Sequence, residues 1–159
     1  MSLLKFCHWI GRSHLGVFMR DSTYAFAIVE ICHLLALAVF GGAILLVNLR
    51  FLGAAFKLQS TSQVARDFLP LTGGGVVAMT ISGFLLFIGG SMRYYHNPAF
   101  RFKILLFVIA LAFQCFLQIK VSRRASGTGG DSKWLKLGAV VSLVLWCAIG
   151  LAGRAIGYV

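Results

Sequence analysis

Apolar residues run through this chain in four long blocks, 24–47, 72–89, 100–119 and 137–157, separated by short polar or glycine-bearing connections. No block alternates with period two, and each approaches the roughly 20 apolar residues needed to cross about 30 Å of hydrocarbon. A sheet edge in lipid would leave its backbone groups unbonded, so the pattern predicts helices. The expected fold class is an all-α membrane protein, a four-transmembrane-helix bundle. Residues 1–22 are expected to form an amphipathic interfacial segment and 23–159 the transmembrane domain.

In residues 1–22, Leu3, Leu4, Phe6, Trp9 and Phe18 alternate with Lys5, His8, Arg12, His14 and Arg20. This suits a short helix at the membrane surface with Trp9 as its anchor. The segment lacks the continuous apolar core of a cleaved leader and is expected to be retained. His8 and His14 are six apart, so they cannot share a face of one helix. They and His96 read as interfacial histidines.

Composition agrees with the block pattern: 59% of residues are hydrophobic and 12% charged, against about 25% charged in soluble domains. The formal net charge of +11 is spread over all the loops rather than gathered in one stripe, which excludes a nucleic-acid surface and favours anionic lipid headgroups as partners. Cys7, Cys32, Cys115 and Cys147 have no paired spacing and read as small core residues, neither a disulfide framework nor a zinc site. Met79 and Met92 read as packing residues. Gly73, Gly74 and Gly75 lack the lysine of a phosphate loop, and no nucleophile–base pair or carboxylate dyad occurs, so hydrolytic and nucleotide chemistry find no support. Whether the chain is an enzyme is left open.

Charge inside a span is costly, which singles out Glu30 and His33 in the first block. On a helical wheel Glu30, His33, Leu37, Phe40, Ile44 and Asn48 share a side, as do Lys103, Phe107, Ala110, Gln114 and Gln118 on the third span, and Gly150, Arg154 and Gly157 on the fourth. His33 lies nine residues past Tyr24, roughly 13 Å into the membrane. An antiparallel course brings Glu30, His33, Lys103 and Arg154 to that half, under a loop carrying Arg93, Tyr94, Tyr95 and His96. The other half is expected to be comparatively featureless. One reading makes His33 an axial ligand to haem b or a copper ligand, with Lys103 and Arg154 as second ligand, propionate partners or counter-charges to Glu30. The other is structural: a Glu30–Arg154 ion pair, with His33 hydrogen-bonded between helices, fixing the bundle register.

The run from Ile31 through His33, Gly42 and Arg50 to Gly53, then Asn97-Pro98-Ala99-Phe100-Arg101-Phe102-Lys103, then Ala152-Gly153-Arg154 to Tyr158, resembles a family of small, functionally uncharacterised bacterial membrane proteins. The resemblance covers nearly the whole chain. More remotely, the histidine, glycine and arginine of span one with the lysine opening span three look like the copper-resistance D proteins and the HemJ-type protoporphyrinogen oxidases. The second likeness implies haem binding at His33 and Lys103.

Three functions are therefore expected as rivals: a haem b or copper-linked redox or transport component, a non-catalytic small subunit of a larger membrane complex or homo-oligomer, and a porphyrinogen-oxidase-like enzyme. Loops one-two and three-four carry a slight excess of Lys and Arg, which places both termini on the periplasmic side of a bacterial inner membrane. A cysteine introduced within 126–130 should then resist membrane-impermeant labelling in intact cells, while one at Asn97 should react. The opposite pattern reverses the orientation.

Overall fold

The computed structural model describes residues 3–91, 97–123 and 133–155. In chain order the helices are α1 (Leu3–Gly11), α2 (His14–Asp21), α3 (Thr23–Phe51), α4 (Thr61–Asp67), α5 (Leu69–Gly89), α6 (Pro98–Ser122) and α7 (Lys133–Ala155). No strand occurs among the described residues. Among the described residues four helical stretches, with α4 and α5 counted as one, are long and apolar enough to cross a membrane. Many of their large apolar side chains are exposed, as lipid-facing side chains are.

Capping rather than hydropathy sets the ends of α3 and α6, which is why both run past their apolar blocks. Ser22 Oγ accepts from Ala25 N at 3.2 Å to open α3. Asn97 Oδ1 accepts from Ala99 N and Phe100 N at 2.9 and 3.2 Å to open α6, with Pro98 in the first turn where no N–H is needed. At the end of α3, Gly53 takes φ 78°. Ala54 N bonds Leu49 O and Gly53 N bonds Arg50 O, the paired closure that a left-handed glycine permits. Arg50 then donates from Nε and Nη2 to Gln59 O at 3.0 and 2.8 Å, drawing the connection back beneath the helix.

The connection between the first two spans, expected as a polar loop, contains α4. Pro70 lacks an N–H and its ring would collide with the carbonyl of Arg66, so α4 and α5 are separate helices that meet at Phe68. Beyond the break α4 packs on α6, held by Gln118 Nε2 donating to Ala65 O at 3.1 Å and Arg66 Nη2 donating to Ser122 O at 3.1 Å. Its partner α5 instead packs along α3, while α7 packs on both α3 and α6. Helices α5 and α6 have no extended contact along their length. Near their facing ends the rings of Phe87 and Phe100 stack at 5.7 Å.

Two zones fill the interior. Val47, Phe51, Ala65, Val121, Leu135 and Ala139 form an apolar cluster where α3, α4, α6 and α7 converge. At mid-depth Phe40 is fully buried and meets Trp146 edge-on at 5.1 Å, and Trp146 meets Phe107 edge-on at 5.9 Å. On the opposite side of Phe40, a Cβ on Gly75 would fall 2.8 Å from Phe40 Cβ. The close crossing of α3 and α5 therefore requires glycine there. Gly75→Ala should destabilise the fold by about 1–3 kcal/mol in detergent unfolding, and Phe40→Leu, which keeps the Cβ and Cα that the new methyl would meet, should not rescue it. Equal stability of Gly75→Ala and the natural chain would refute the crossing.

Candidate functional site

His33, ten residues into α3, turns toward α5. Its Nδ1 lies 2.8 Å from Ser82 Oγ. Ser82 donates its single hydroxyl proton to Ala78 O at 2.6 Å, one turn back on its own helix, so the imidazole contact is best made by His33 Nδ1–H donating to Ser82 Oγ. The neutral ring then carries its lone pair on Nε2. The next residue, Gly83, gives the ring its room, since a Cβ there would lie 3.3 Å from His33 Cε1.

Lys103, in the second turn of α6, is likewise given room by a glycine. Its Nζ lies 3.2 Å from the position a Cβ would occupy on Gly153 of α7. The half-buried ammonium has no hydrogen-bond or ion-pair partner among the described residues. It is close enough to His33 to act on the ring electrostatically, as is Glu30. One half of the bundle thus presents an oriented imidazole, an uncompensated ammonium and a nearby carboxylate.

The expected Glu30–Arg154 ion pair is not formed. Both side chains are exposed, and neither has an ion-pair partner among the described residues. The bond from His33 to Ser82 turns the imidazole to α5 and leaves Glu30, three residues earlier, at the outer edge of α3. Arg154 follows the glycine against which Lys103 lies, so the inward position at that level is taken by Lys103. Met92, Arg93, Tyr94, Tyr95, His96 and Gly157 lie outside the described residues. Cys32 and Cys147, expected in the core, are exposed, and Cys115 is half-buried. Among the described residues no three His, Cys, Asp or Glu side chains gather as a metal-ligand set.

The opposite half is not featureless. Fifteen residues after His33, about 22 Å along the helix, Asn48 Nδ2 donates to Ile44 O at 2.9 Å, Gln114 Oε1 at 3.1 Å and Ser142 Oγ at 3.3 Å. Ser142 donates to the same Gln114 oxygen at 2.6 Å. All three residues are at 0% exposure. This layer joins α3, α6 and α7. Among the described residues four buried side-chain polar atoms lack a hydrogen-bond partner: Asn48 Oδ1 and Gln114 Nε2 in this layer, and Gln118 Oε1 and Trp146 Nε1 outside it.

Sequence reasoning missed Ser82, two residues after Thr80, and Ser142, a lone hydroxyl in an apolar run. Their legible signal was polarity inside a span, and for Ser82 also the glycine that follows it. The sequence model of one family matches residues 5–159. The chain belongs to DUF6644, a family of unknown function. No curated protein and no solved structure matches this DUF6644 chain, so the remoter likeness to copper-resistance D and HemJ-type proteins gains no support from them.

If the Asn48 layer holds three helices together, Asn48→Ala and Gln114→Ala should each cost about 0.6–2 kcal/mol in detergent unfolding. The Asn48→Leu, Gln114→Leu, Ser142→Ala triple variant should cost less than the sum of its singles, because no partner is then left unbonded. Additive losses would contradict a shared network.

Proposed function

We propose that this chain is a haem b-binding component of the bacterial inner membrane, with His33 as an axial ligand through Nε2. The observation that carries the reading is the His33–Ser82 bond. A histidine that ligates a metal commonly donates its other ring N–H to a nearby acceptor, which fixes both tautomer and ring orientation. Here Nδ1 is engaged by Ser82 and Nε2 is left as the donor atom. The uncompensated Lys103 ammonium suits a propionate, and Arg154, next to Gly153, offers a second cation at the same end. The lack of extended packing between α5 and α6 provides a lateral route for a planar, largely apolar ring. A copper site at the same imidazole is less well supported, since copper needs ligands beyond one histidine and no three-residue set occurs among the described residues.

Bound haem would supply one-electron redox chemistry. The chain's own residues supply a lone pair held in place by Ser82 and a cation for the acidic edge of the ring. We further propose that the termini face the periplasm, which puts this half of the bundle on the periplasmic side.

Purified protein should show a Soret band, either as isolated or after reconstitution with haemin. His33→Ala should abolish or strongly shift it. Ser82→Ala should keep the band but weaken haem retention about 10–100-fold, and Lys103→Met should weaken retention without moving the band. A natural chain that stays colourless after reconstitution and copurifies stoichiometrically with larger subunits overturns the haem reading in favour of the small-subunit one. An unchanged spectrum in His33→Ala removes the ligand assignment.

A further inference from the structure

On a single helix His8 and His14 would point apart, but α1 and α2 are two helices meeting at a corner. Ser13 builds that corner: its Oγ donates to Ile10 O at 2.6 Å and accepts from Gly16 N at 3.2 Å. Gly16 lets the two helices close on each other, because a Cβ there would fall 2.8 and 2.9 Å from the carbonyl oxygens of Ile10 and Gly11. The result is an open cleft of about 470 Å³ lined by His8, Trp9, Arg12, Ser13 and His14.

We propose that this cleft holds the phosphate of an anionic phospholipid headgroup. The Arg12 guanidinium brings a permanent positive charge and a forked set of donors suited to phosphate. His8 and His14 each carry a ring N–H in either neutral tautomer. All three side chains are exposed, and none has a hydrogen-bond or ion-pair partner among the described residues. Among the described residues no carboxylate lines the cleft: Asp21, at the far end of α2, faces Arg20 at 3.6 Å. The first turn of α2 opens at the same corner and adds the partial positive charge of a helix start. Arg12, lining the same cleft as the two imidazoles, would repel a metal cation, so the set suits an anion.

The position of the corner favours a lipid over free phosphate. It rests on the end of the α5 span, where a Cβ on Gly11 would meet Ser91 Oγ at 2.7 Å and one on Gly89 would lie 3.4 Å from Met19 Cβ. Trp9, 66% exposed, and the exposed Leu15 and Phe18 give the neighbouring surface the aromatic and apolar character of the headgroup boundary. This inference is independent of any haem at His33.

Native mass spectrometry of the full chain, released from maltoside micelles doped with phosphatidylglycerol or phosphatidylcholine, tests it. The natural chain should retain one phosphatidylglycerol in clear preference to phosphatidylcholine. Arg12→Gln should lower that retention about tenfold, Arg12→Lys should lower it less, and the double variant His8→Ala with His14→Ala should also lower it. Arg20→Gln, which removes an equal charge outside the cleft, should leave it unchanged. Unchanged retention in both Arg12→Gln and the double histidine variant overturns the proposal, as does an equal loss in Arg20→Gln. Displacement of phosphatidylglycerol by millimolar inorganic phosphate would make the occupant a free anion and overturn the lipid assignment.

Discussion

Water is missing from the hydrocarbon layer, so a polar side chain on one of these helices must find its partner in protein, either one turn back on its own helix or on a neighbouring one. That requirement organises the bundle into levels. His33 reaches Ser82 across the α3–α5 contact. About 22 Å further along α3, Asn48 ties α3 to α6 and α7 through Gln114 and Ser142. Between them Phe40, Trp146 and Phe107 join the same helices through ring edges. With lipid outside and little hydrophobic drive between helices, such directional contacts and close crossings fix which faces turn inward.

The two polar levels differ in what they leave over. At the Asn48 level the exchange of bonds is internal, and the partnerless atoms are fully enclosed. At the His33 level the imidazole is half-buried, its Nδ1 is occupied and its Nε2 is available, while the Lys103 ammonium lies over Gly153 without a counter-ion among the described residues. The Pro70 break contributes to this asymmetry. It sends α4 to α6, where Gln118 satisfies Ala65 O, and α5 to α3, where Ser82 meets His33. One end of the bundle is thereby closed by α4, and the other is left with α5 and α6 bridged by the Phe87–Phe100 stack.

Much of this was legible in the sequence because it follows from composition and period. Apolar blocks announce spans, and an antiparallel course places His33 and Lys103 in one half without any coordinates. The pairings were not legible, since a wheel gives a face but not the residue opposite. It grouped Glu30 with His33, yet the bond to Ser82 turned only the imidazole to α5. Asn48, Gln114 and Gln118 were placed on inward faces without a partner such as Ser142, whose lone hydroxyl carries no periodic signal. The helix hidden in the connection before Pro70 was missed because Thr61–Asp67 is polar and short, stabilised by α6 rather than by its own pattern. His8 and His14 were separated by assuming one helix where Ser13 and Gly16 make a corner.

The central claim is that Ser82 fixes the His33 imidazole with its proton on Nδ1 and its lone pair on Nε2. Nitrogen NMR of ring-labelled histidine in cofactor-free protein, with the His33 signals assigned by comparison with His33→Gln, tests it directly. The account predicts a protonated Nδ1 and an unprotonated Nε2 in the natural chain, and loss of that single-tautomer signature in Ser82→Ala. A proton found on Nε2, or a tautomer indifferent to Ser82→Ala, would contradict it.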